Sequence, residues 1–318
     1  MVQSTLLTTL AVFSGLACAN PIDRRTLRAG HVIQVRQNNT APPPGYANQL
    51  FLDDFSAGVL DTNTWQYDVG TSYPGGPENW GTGEIQTYTQ DASNININAE
   101  GNLAITPQNN NGQWTSARIE TTANVEFGAP EGGKLWVEAN LKVGSSNMAQ
   151  GSEMGIWPAF WMMGSDFRND HGLWPSIGEI DILETANGAS TVYHTVHCDQ
   201  APGGVCDEYN GIGSSGGFTR GEWHTIAAEI DRTSADWTQQ SLNFYVDRQL
   251  SWSITPAQLQ SNEAVWQALS ASNKMILLNV AVGGGFPNGI SGETTPNANT
   301  LSGEDVDMEI AYVAAWST

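Results

Sequence analysis

Charged residues are scarce in this sequence, and basic residues are the scarcest. Charged side chains make up 14% of 318 residues, with 12 lysines and arginines against 33 aspartates and glutamates, giving a net charge of −21. Soluble domains usually carry about 25% charged residues. A chain this acidic repels phosphate backbones and anionic lipid surfaces. We therefore expect neither nucleic acid nor a membrane as a partner.

Long apolar runs are also missing, apart from one at the N-terminus. Residues 6–19 are mostly apolar and end in the small residues Ala17-Cys18-Ala19. A run of this length is too short to span a membrane. The pattern is typical of a signal peptide over residues 1–19, so we expect the protein to be secreted and extracellular.

The next segment, residues 20–45, is basic and then rich in proline. It holds the dibasic pair Arg24-Arg25, two further arginines and the run Ala41-Pro-Pro-Pro-Gly45. One interpretation is a pro-segment removed by an arginine-directed protease, followed by a stiff linker; the other is a disordered tail. No second change in composition follows, so a single domain is expected over residues 46–318.

Cysteine is rare, with three residues in the chain. Cys18 would leave with the signal peptide, so Cys198 and Cys206 remain. An even pair in an oxidising compartment favours a disulfide. Two buried thiols are the alternative, whereas two thiols and His197 do not complete a zinc site. No metal site is therefore predicted.

Helical patterns are sparse, and short β-rich runs recur between turn residues. Several of these runs alternate apolar with polar residues, as half-buried strands do. They occur at residues 94–98, 102–106, 134–138, 242–246, 275–280 and 309–313. The longest helical candidate covers residues 256–269. Many strands without interleaved helices indicate an all-β, antiparallel sandwich or jelly roll.

One predicted strand, residues 178–184, carries three carboxylates. Glu179 and Asp181 share a face because side chains alternate along a strand. Glu184 has the wrong parity, but a β-bulge at Ile182-Leu183 would bring it onto the same face. Three carboxyl groups so close cannot all ionise at neutral pH, so one should hold a proton.

A carboxylate beside a carboxylic acid is the arrangement that glycoside hydrolysis requires. Four strand steps separate Glu179 from Glu184 once the bulge is allowed for, which is roughly 13 Å between Cα atoms. Leaning side chains could close this to about 5–5.5 Å, the separation of retaining enzymes. The alternative is an acidic, exposed strand. Trp161 and Trp174 lie close in sequence and suit the apolar faces of an uncharged sugar, although tryptophans are also common in cores.

These motifs together resemble glycoside hydrolase family 16, the laminarinase and lichenase family. The resemblance rests first on Trp157-Pro-Ala-Phe-Trp161, Trp174-Pro and Gly178-Glu-Ile-Asp-Ile-Leu-Glu184. Further matching segments follow in family order across most of residues 46–318. They are Phe51-Leu-Asp-Asp-Phe55, Glu84-Ile-Gln-Thr-Tyr-Thr89, Ser116-Ala-Arg-Ile119, Trp223-His-Thr-Ile-Ala-Ala-Glu229, Phe244-Tyr-Val-Asp247 and Leu278-Asn-Val-Ala-Val-Gly-Gly284.

The resemblance implies a curved β-jelly-roll sandwich of two antiparallel sheets, with a substrate cleft on the concave face. It implies that Glu179 is the nucleophile, Asp181 its helper and Glu184 the acid/base. Five further residues would bind substrate: Trp161 and Trp174 as sugar platforms, His197 with His194 as its rival, and Glu84 and Arg118 as polar cleft residues. A strand-edge charge remains the alternative for Glu84, and an ion pair for Arg118.

The form of the motif with an extra residue resembles the laminarinase, agarase and carrageenase branches. A sulfated substrate suits an acidic, arginine-poor chain badly, so a β-1,3- or mixed 1,3/1,4-glucan is expected as the partner of a monomeric enzyme. A transglycosylase and a non-catalytic glucan-binding protein are the alternatives. Two residues depart from the family pattern: Phe286 stands where many members have tryptophan, and Ala311 where many have a calcium-binding aspartate. No cofactor is therefore predicted, and a structural calcium would depend on backbone carbonyls.

Overall fold

The structure is a computed structural model that describes residues 40–146, 148–149 and 151–318. The predicted signal peptide and most of the predicted pro-segment lie outside these residues. The strands, in chain order, are β1 (Asn48–Asp53), β2 (Trp65–Tyr67), β3 (Thr87–Tyr88), β4 (Ile95–Ile97), β5 (Leu103–Ile105), β6 (Gln108–Asn110), β7 (Gln113–Ser116), β8 (Arg118–Thr121), β9 (Lys134–Val143), β10 (Ile156–Gly164), β11 (Glu179–Glu184), β12 (Thr191–His197), β13 (Ile212–Gly217), β14 (His224–Asp231), β15 (Ser241–Val246), β16 (Gln249–Ile254), β17 (Lys274–Val282) and β18 (Met308–Ser317). The α-helices are α1 (Glu263–Ser270) and α2 (Gly285–Ser291).

Two large antiparallel sheets make up the domain. The first has the strand order β16-β15-β14-β9-β18-β5-β4, with β1 also paired to β18. The second has the order β13-β12-β11-β10-β17-β8-β2 and is called the site sheet below. A small third sheet, β3-β7-β6, lies beside them. The prediction of an all-β sandwich is confirmed.

The alternation of side chains along each strand decides which residues enter the core. On β10, Ile156, Phe160 and Met162 join the large hydrophobic cluster between the sheets. Trp161 and Met163 point to the opposite face and belong to a separate cluster. The site sheet therefore has one apolar face in the core and a second face that carries tryptophans and carboxylates.

The helix expected over residues 256–269 is wrong in its length. A short 3-10 turn at Pro256–Leu259 is followed by α1, and the two are separate. Gln260 and Ser261 between them adopt left-handed conformations, with φ of 54° and 51°. A right-handed helix cannot continue through such residues.

The folded domain begins upstream of residue 46, the start expected from the sequence. Pro43 is buried, and Arg248 donates a hydrogen bond to the carbonyl of Ala41 at 2.8 Å. Tyr46 packs against Trp136 with ring centroids 5.6 Å apart. Proline holds the backbone in an extended form that this surface accepts, so the end of the predicted linker belongs to the domain. Within the described ranges, no helix is long and apolar enough to cross a membrane.

Candidate active site

A β-bulge on β11 brings the three carboxylates to one face of the site sheet. Against β10, Glu179 lies opposite Met163 and Glu184 opposite Ala159, so six residues of β11 face five of β10. The pairing with β12 shifts in the same place, between Asp181 and Glu184. The extra residue restores the parity of Glu184. The predicted bulge is therefore present.

Tryptophan indoles hold the two glutamates of this face. Trp174 donates its indole N–H to Glu179 Oε2 at 2.7 Å. Trp157, on β10, donates to Glu184 Oε1 at 3.0 Å. Hydrogen bonds of this kind fix the orientation of each carboxyl group. The sequence had identified Trp157 only as part of a motif, with no role of its own.

His197 lies between the carboxylates and a buried acid that the sequence did not single out. Its Nε2 is 3.5 Å from Asp181 Oδ2, and its Nδ1 is 2.7 Å from Glu208 Oε2. Burial opposes a charge on the ring, but the bond to Glu208 and the charges of nearby glutamates raise the pKa of His197 to about 9. The ring is therefore an imidazolium at neutral pH.

His194, the rival candidate, lies on the other side of β12. Its ring nitrogens are 2.7 Å from the carbonyl of Ile182 and 3.0 Å from the hydroxyl of Ser251, and its ring stacks on Phe244 of the first sheet. Burial lowers the pKa of His194 to about 4. This histidine is a neutral core residue, so the structure places His197 alone of the two beside the carboxylates.

The three carboxyl groups of β11 resist ionisation because they are buried together. Burial, followed by the charges of Glu179 and Glu184, raises the pKa of Asp181 well above its usual range. Burial also raises the pKa of Glu184 to about 7, although His197 and Trp157 oppose the shift. The pKa of Glu179 rises by burial as well, against His197, Trp174 and a hydrogen bond with Asp181. Of the two hydrogen-bonded carboxyl groups, Asp181 therefore holds its proton more tightly, and Glu179 is the one that the bond to its neighbour favours in the charged form.

Within the described residues, one group of side chains could hold a metal ion, and it belongs to this site. Ligand atoms of Glu179, Asp181 and His197 lie within 4.8 Å of one another. An imidazolium carries protons on both nitrogens and has no lone pair for a metal. The donor set therefore suits proton transfer better than metal binding.

Trp161 lies on the same face of the site sheet and is only 8% exposed. A chain of hydrogen bonds links its indole to Glu84. The indole donates to Asn279 at 2.8 Å, Asn279 donates to the hydroxyl of Tyr88, and Tyr88 donates to Glu84 at 2.8 Å. Glu84 is 5% exposed. Its Oε2 accepts the last bond of this internal chain, which fixes the position of the tryptophan, while its Oε1 accepts from the hydroxyl of Thr82.

Arg118 is likewise buried beneath the tryptophans. Its guanidinium lies 4.8 Å from the ring centroid of Trp161 and 4.6 Å from that of Trp80. Its Nε pairs with Asp68 at 3.0 Å, and its Nη2 donates to Tyr73 at 2.7 Å. The ion pair given as the alternative for Arg118 is therefore present, and the guanidinium also contacts Trp161.

A disulfide joins Cys198 and Cys206, as predicted, and closes a short loop next to His197. The backbone N–H of Cys198 donates to Glu208 at 2.8 Å. The disulfide therefore helps to hold the Glu208 side chain next to His197. At the other end of β11, Phe286 of α2 packs against Trp157 and Tyr193, with centroids 5.2 and 5.3 Å apart. Aromatic rings therefore border both glutamates.

Residues 84–214 match a family model described as "XgeA-like, catalytic GH16 domain". Among solved structures, the chain is similar to an endo-1,3-beta-glucanase from Streptomyces sioyaensis. The two share 40% identity and a TM-score of 0.79, over 87% of this chain and 98% of that one.

Two further relatives are similar over most of the chain. A glucan endo-1,3-beta-glucosidase from Cryptopygus antarcticus is 27% identical over 83% of this chain and 90% of its own length. Glucan endo-1,3-beta-glucosidase A1 from Niallia circulans is 28% identical over 87% of this chain. The alignment spans only 39% of the Niallia protein.

Proposed function

This chain belongs to glycoside hydrolase family 16, and we propose that it is a secreted endo-β-glucanase that hydrolyses β-1,3 linkages, with activity on mixed 1,3/1,4-glucans. The observation that carries the proposal is the shared face of Glu179, Asp181 and Glu184, created by the bulge on β11. Hydrolysis of β-glucan agrees with the three similar proteins described above, each of which is named as an endo-1,3-β-glucanase or an endo-1,3-β-glucosidase.

In the first step, Glu179 attacks the anomeric carbon while Glu184 protonates the departing glycosidic oxygen. Burial raises the pKa of Glu179, and the hydrogen bonds from Trp174 and Asp181 oppose that shift and so favour the ionised form that attacks. With a pKa of about 7, Glu184 is still protonated in mildly acidic solution and can act as the acid. Four strand steps between the two residues allow a carboxyl gap of about 5–5.5 Å, which leaves no room for a water between Glu179 and the sugar.

In the second step, water opens the covalent glycosyl-enzyme and Glu184 takes its proton. Glycosylation removes the charge of Glu179, one of the groups that raise the pKa of Glu184. The pKa of Glu184 therefore falls when a base is needed. Two successive inversions give net retention at the anomeric carbon.

His197 and Glu208 set the electrostatic balance of this cycle. The imidazolium lies among three carboxyl groups and lowers the pKa of both Glu179 and Glu184. Without it, the nucleophile would hold a proton more tightly. We assign His197 to this electrostatic role beside Asp181, and Glu208 to the positioning of His197.

An uncharged glucan suits the surroundings of the carboxylates. Indoles at Trp174 and Trp157 offer apolar faces to sugar C–H groups, and the chain's net charge of −21 disfavours anionic polysaccharides. Secretion is supported by the apolar residues 6–19 and by the Cys198–Cys206 disulfide. We propose that the enzyme acts as a monomer.

The test is analysis by mass of the products from laminarin, lichenan and agarose. We expect a series of oligosaccharides from laminarin and a smaller yield from lichenan. Products longer than their precursors would assign the protein to transglycosylation. Binding of laminarin without any cleavage would indicate a glucan-binding protein, and cleavage of agarose alone would refute the proposed substrate.

A further inference from the structure

The segment that follows the disulfide carries an aromatic ring into solvent beside the carboxylates. Tyr209 is 67% exposed. Its ring lies nearly parallel to that of Trp174, with centroids 6.0 Å apart and planes at 16°. Trp174 in turn donates to Glu179. Trp174 therefore contacts both the exposed ring of Tyr209 and the proposed nucleophile.

The backbone that carries Tyr209 is anchored on both sides. Glu208, the preceding residue, is fully buried and bonds to His197 and to the N–H of Cys198. Asn210, the following residue, donates its N–H to the carbonyl of Asp207 at 2.9 Å. A ring on an anchored segment loses little conformational entropy when it binds a ligand.

The geometry leaves ring surface free. Rings that cover each other face to face have centroids closer than 6.0 Å, so these two are offset. Trp174 is itself only partly buried. Exposed aromatic surface next to a polar site marks a binding surface. The apolar faces match the C–H faces of a neutral sugar, and the carboxylates nearby disfavour an acidic one.

We propose that Tyr209 extends the sugar platform expected at Trp174 into a further sugar-binding subsite next to Glu179. It takes an uncharged glucose ring of the β-glucan chain, outside the ring whose anomeric carbon reacts. The segment after the disulfide is then a specificity element, since it brings Glu208 to His197 and Tyr209 to Trp174. This inference rests on the proposed β-glucanase function.

The experiment compares kcat and KM of Tyr209→Ala on short and long laminarin oligosaccharides. Loss of one aromatic contact should raise KM for the long oligosaccharides roughly three- to tenfold. KM for oligosaccharides too short to reach the ring, and kcat for all of them, should stay unchanged. Tyr209→Phe keeps the ring and should behave as wild type. Leu250→Ala, at a side chain that is 61% exposed on β16, is the matched surface control.

Each other outcome overturns the subsite. Unchanged KM on every substrate would show that the ring does not contact glucan. Equal losses on short and long substrates, or a fall in kcat, would assign Tyr209 to the support of Trp174. A wild-type protein inactive on laminarin would refute the proposed function and the subsite with it, so the wild-type rate separates the two failures.

Discussion

His197 and Glu208 form a hydrogen-bonded ion pair in which Nδ1 lies 2.7 Å from Oε2, with the glutamate side chain fully buried. The pair places one fixed positive charge among the three carboxyl groups of β11. Glu208, which stabilises this charge, does not belong to β11. It lies two residues after Cys206, on the segment that the disulfide holds close to His197. The ionisation of the proposed nucleophile thus depends on a residue 29 positions away in the sequence.

Replacement of this positive charge should move the pH dependence of kcat/KM. His197→Asn removes the cation that lowers the pKa of Glu179 and Glu184, so both limbs of the profile should shift upward, on the order of one pH unit. Glu208→Gln lowers the pKa of His197 but leaves it protonated in acid, so only the alkaline limb should shift. Identical profiles for both variants and the wild type would contradict the electrostatic role.

Loss of either proposed catalytic carboxylate should remove activity while the fold persists. Glu179→Gln cannot attack the anomeric carbon and Glu184→Gln cannot donate a proton, so each should lower kcat by roughly 10² or more. Azide should partly restore turnover in the alanine variants. The glycosyl azide should be the α-anomer with Glu179→Ala and the β-anomer with Glu184→Ala. Near-wild-type turnover in either variant would show that the roles are misassigned.

The disulfide should contribute measurably to stability. Cys198 and Cys206 close a short loop, and loop-closure entropy for such a length corresponds to about 2–3 kcal/mol. A variant with serine at both positions should lose about that much free energy of unfolding in urea. Its KM should also rise, since Glu208 and Tyr209 lose their anchor. Equal stability of the two proteins would mean that the loop is held by its other contacts.

A variant of Arg118 tests whether this residue supports the structure or contacts the substrate directly. Arg118→Met should leave Asp68 without its cationic partner, keeping only the hydrogen bond from Tyr73, and lower the free energy of unfolding by roughly 3 kcal/mol. The emission of Trp161 and Trp80 should change as well, because the guanidinium lies over both rings. A rise in KM at full stability, with unchanged emission, would instead make Arg118 a substrate-binding residue.

Local patterns in the sequence predicted the parts of the site that lie on one strand. Alternation and a single bulge were enough to place Glu179, Asp181 and Glu184 on one face, because β-strand geometry fixes parity. The cysteine count was enough for the disulfide. The choice between His194 and His197 stayed open, since it depends on which face of β12 enters the core.

Contacts between distant segments could not be read from the sequence. Nothing in the spacing of Glu208 relates it to His197, and its position two residues after Cys206 is a signal only once the disulfide is known. The resemblance to the family implied that Arg118 and Glu84 line the cleft. The structure buries both beneath Trp161 since Asp68, Tyr73 and Tyr88, which come from other segments, supply their partners.

The anomeric form of the first product tests the central claim most directly. Two carboxyl groups about 5–5.5 Å apart across one sugar require direct attack by Glu179 and net retention. Proton NMR of a fresh laminarin digest, recorded before mutarotation, should show the β-anomer first. An initial α-anomer would contradict the bulge geometry as the source of the carboxyl spacing and the roles assigned to Glu179 and Glu184.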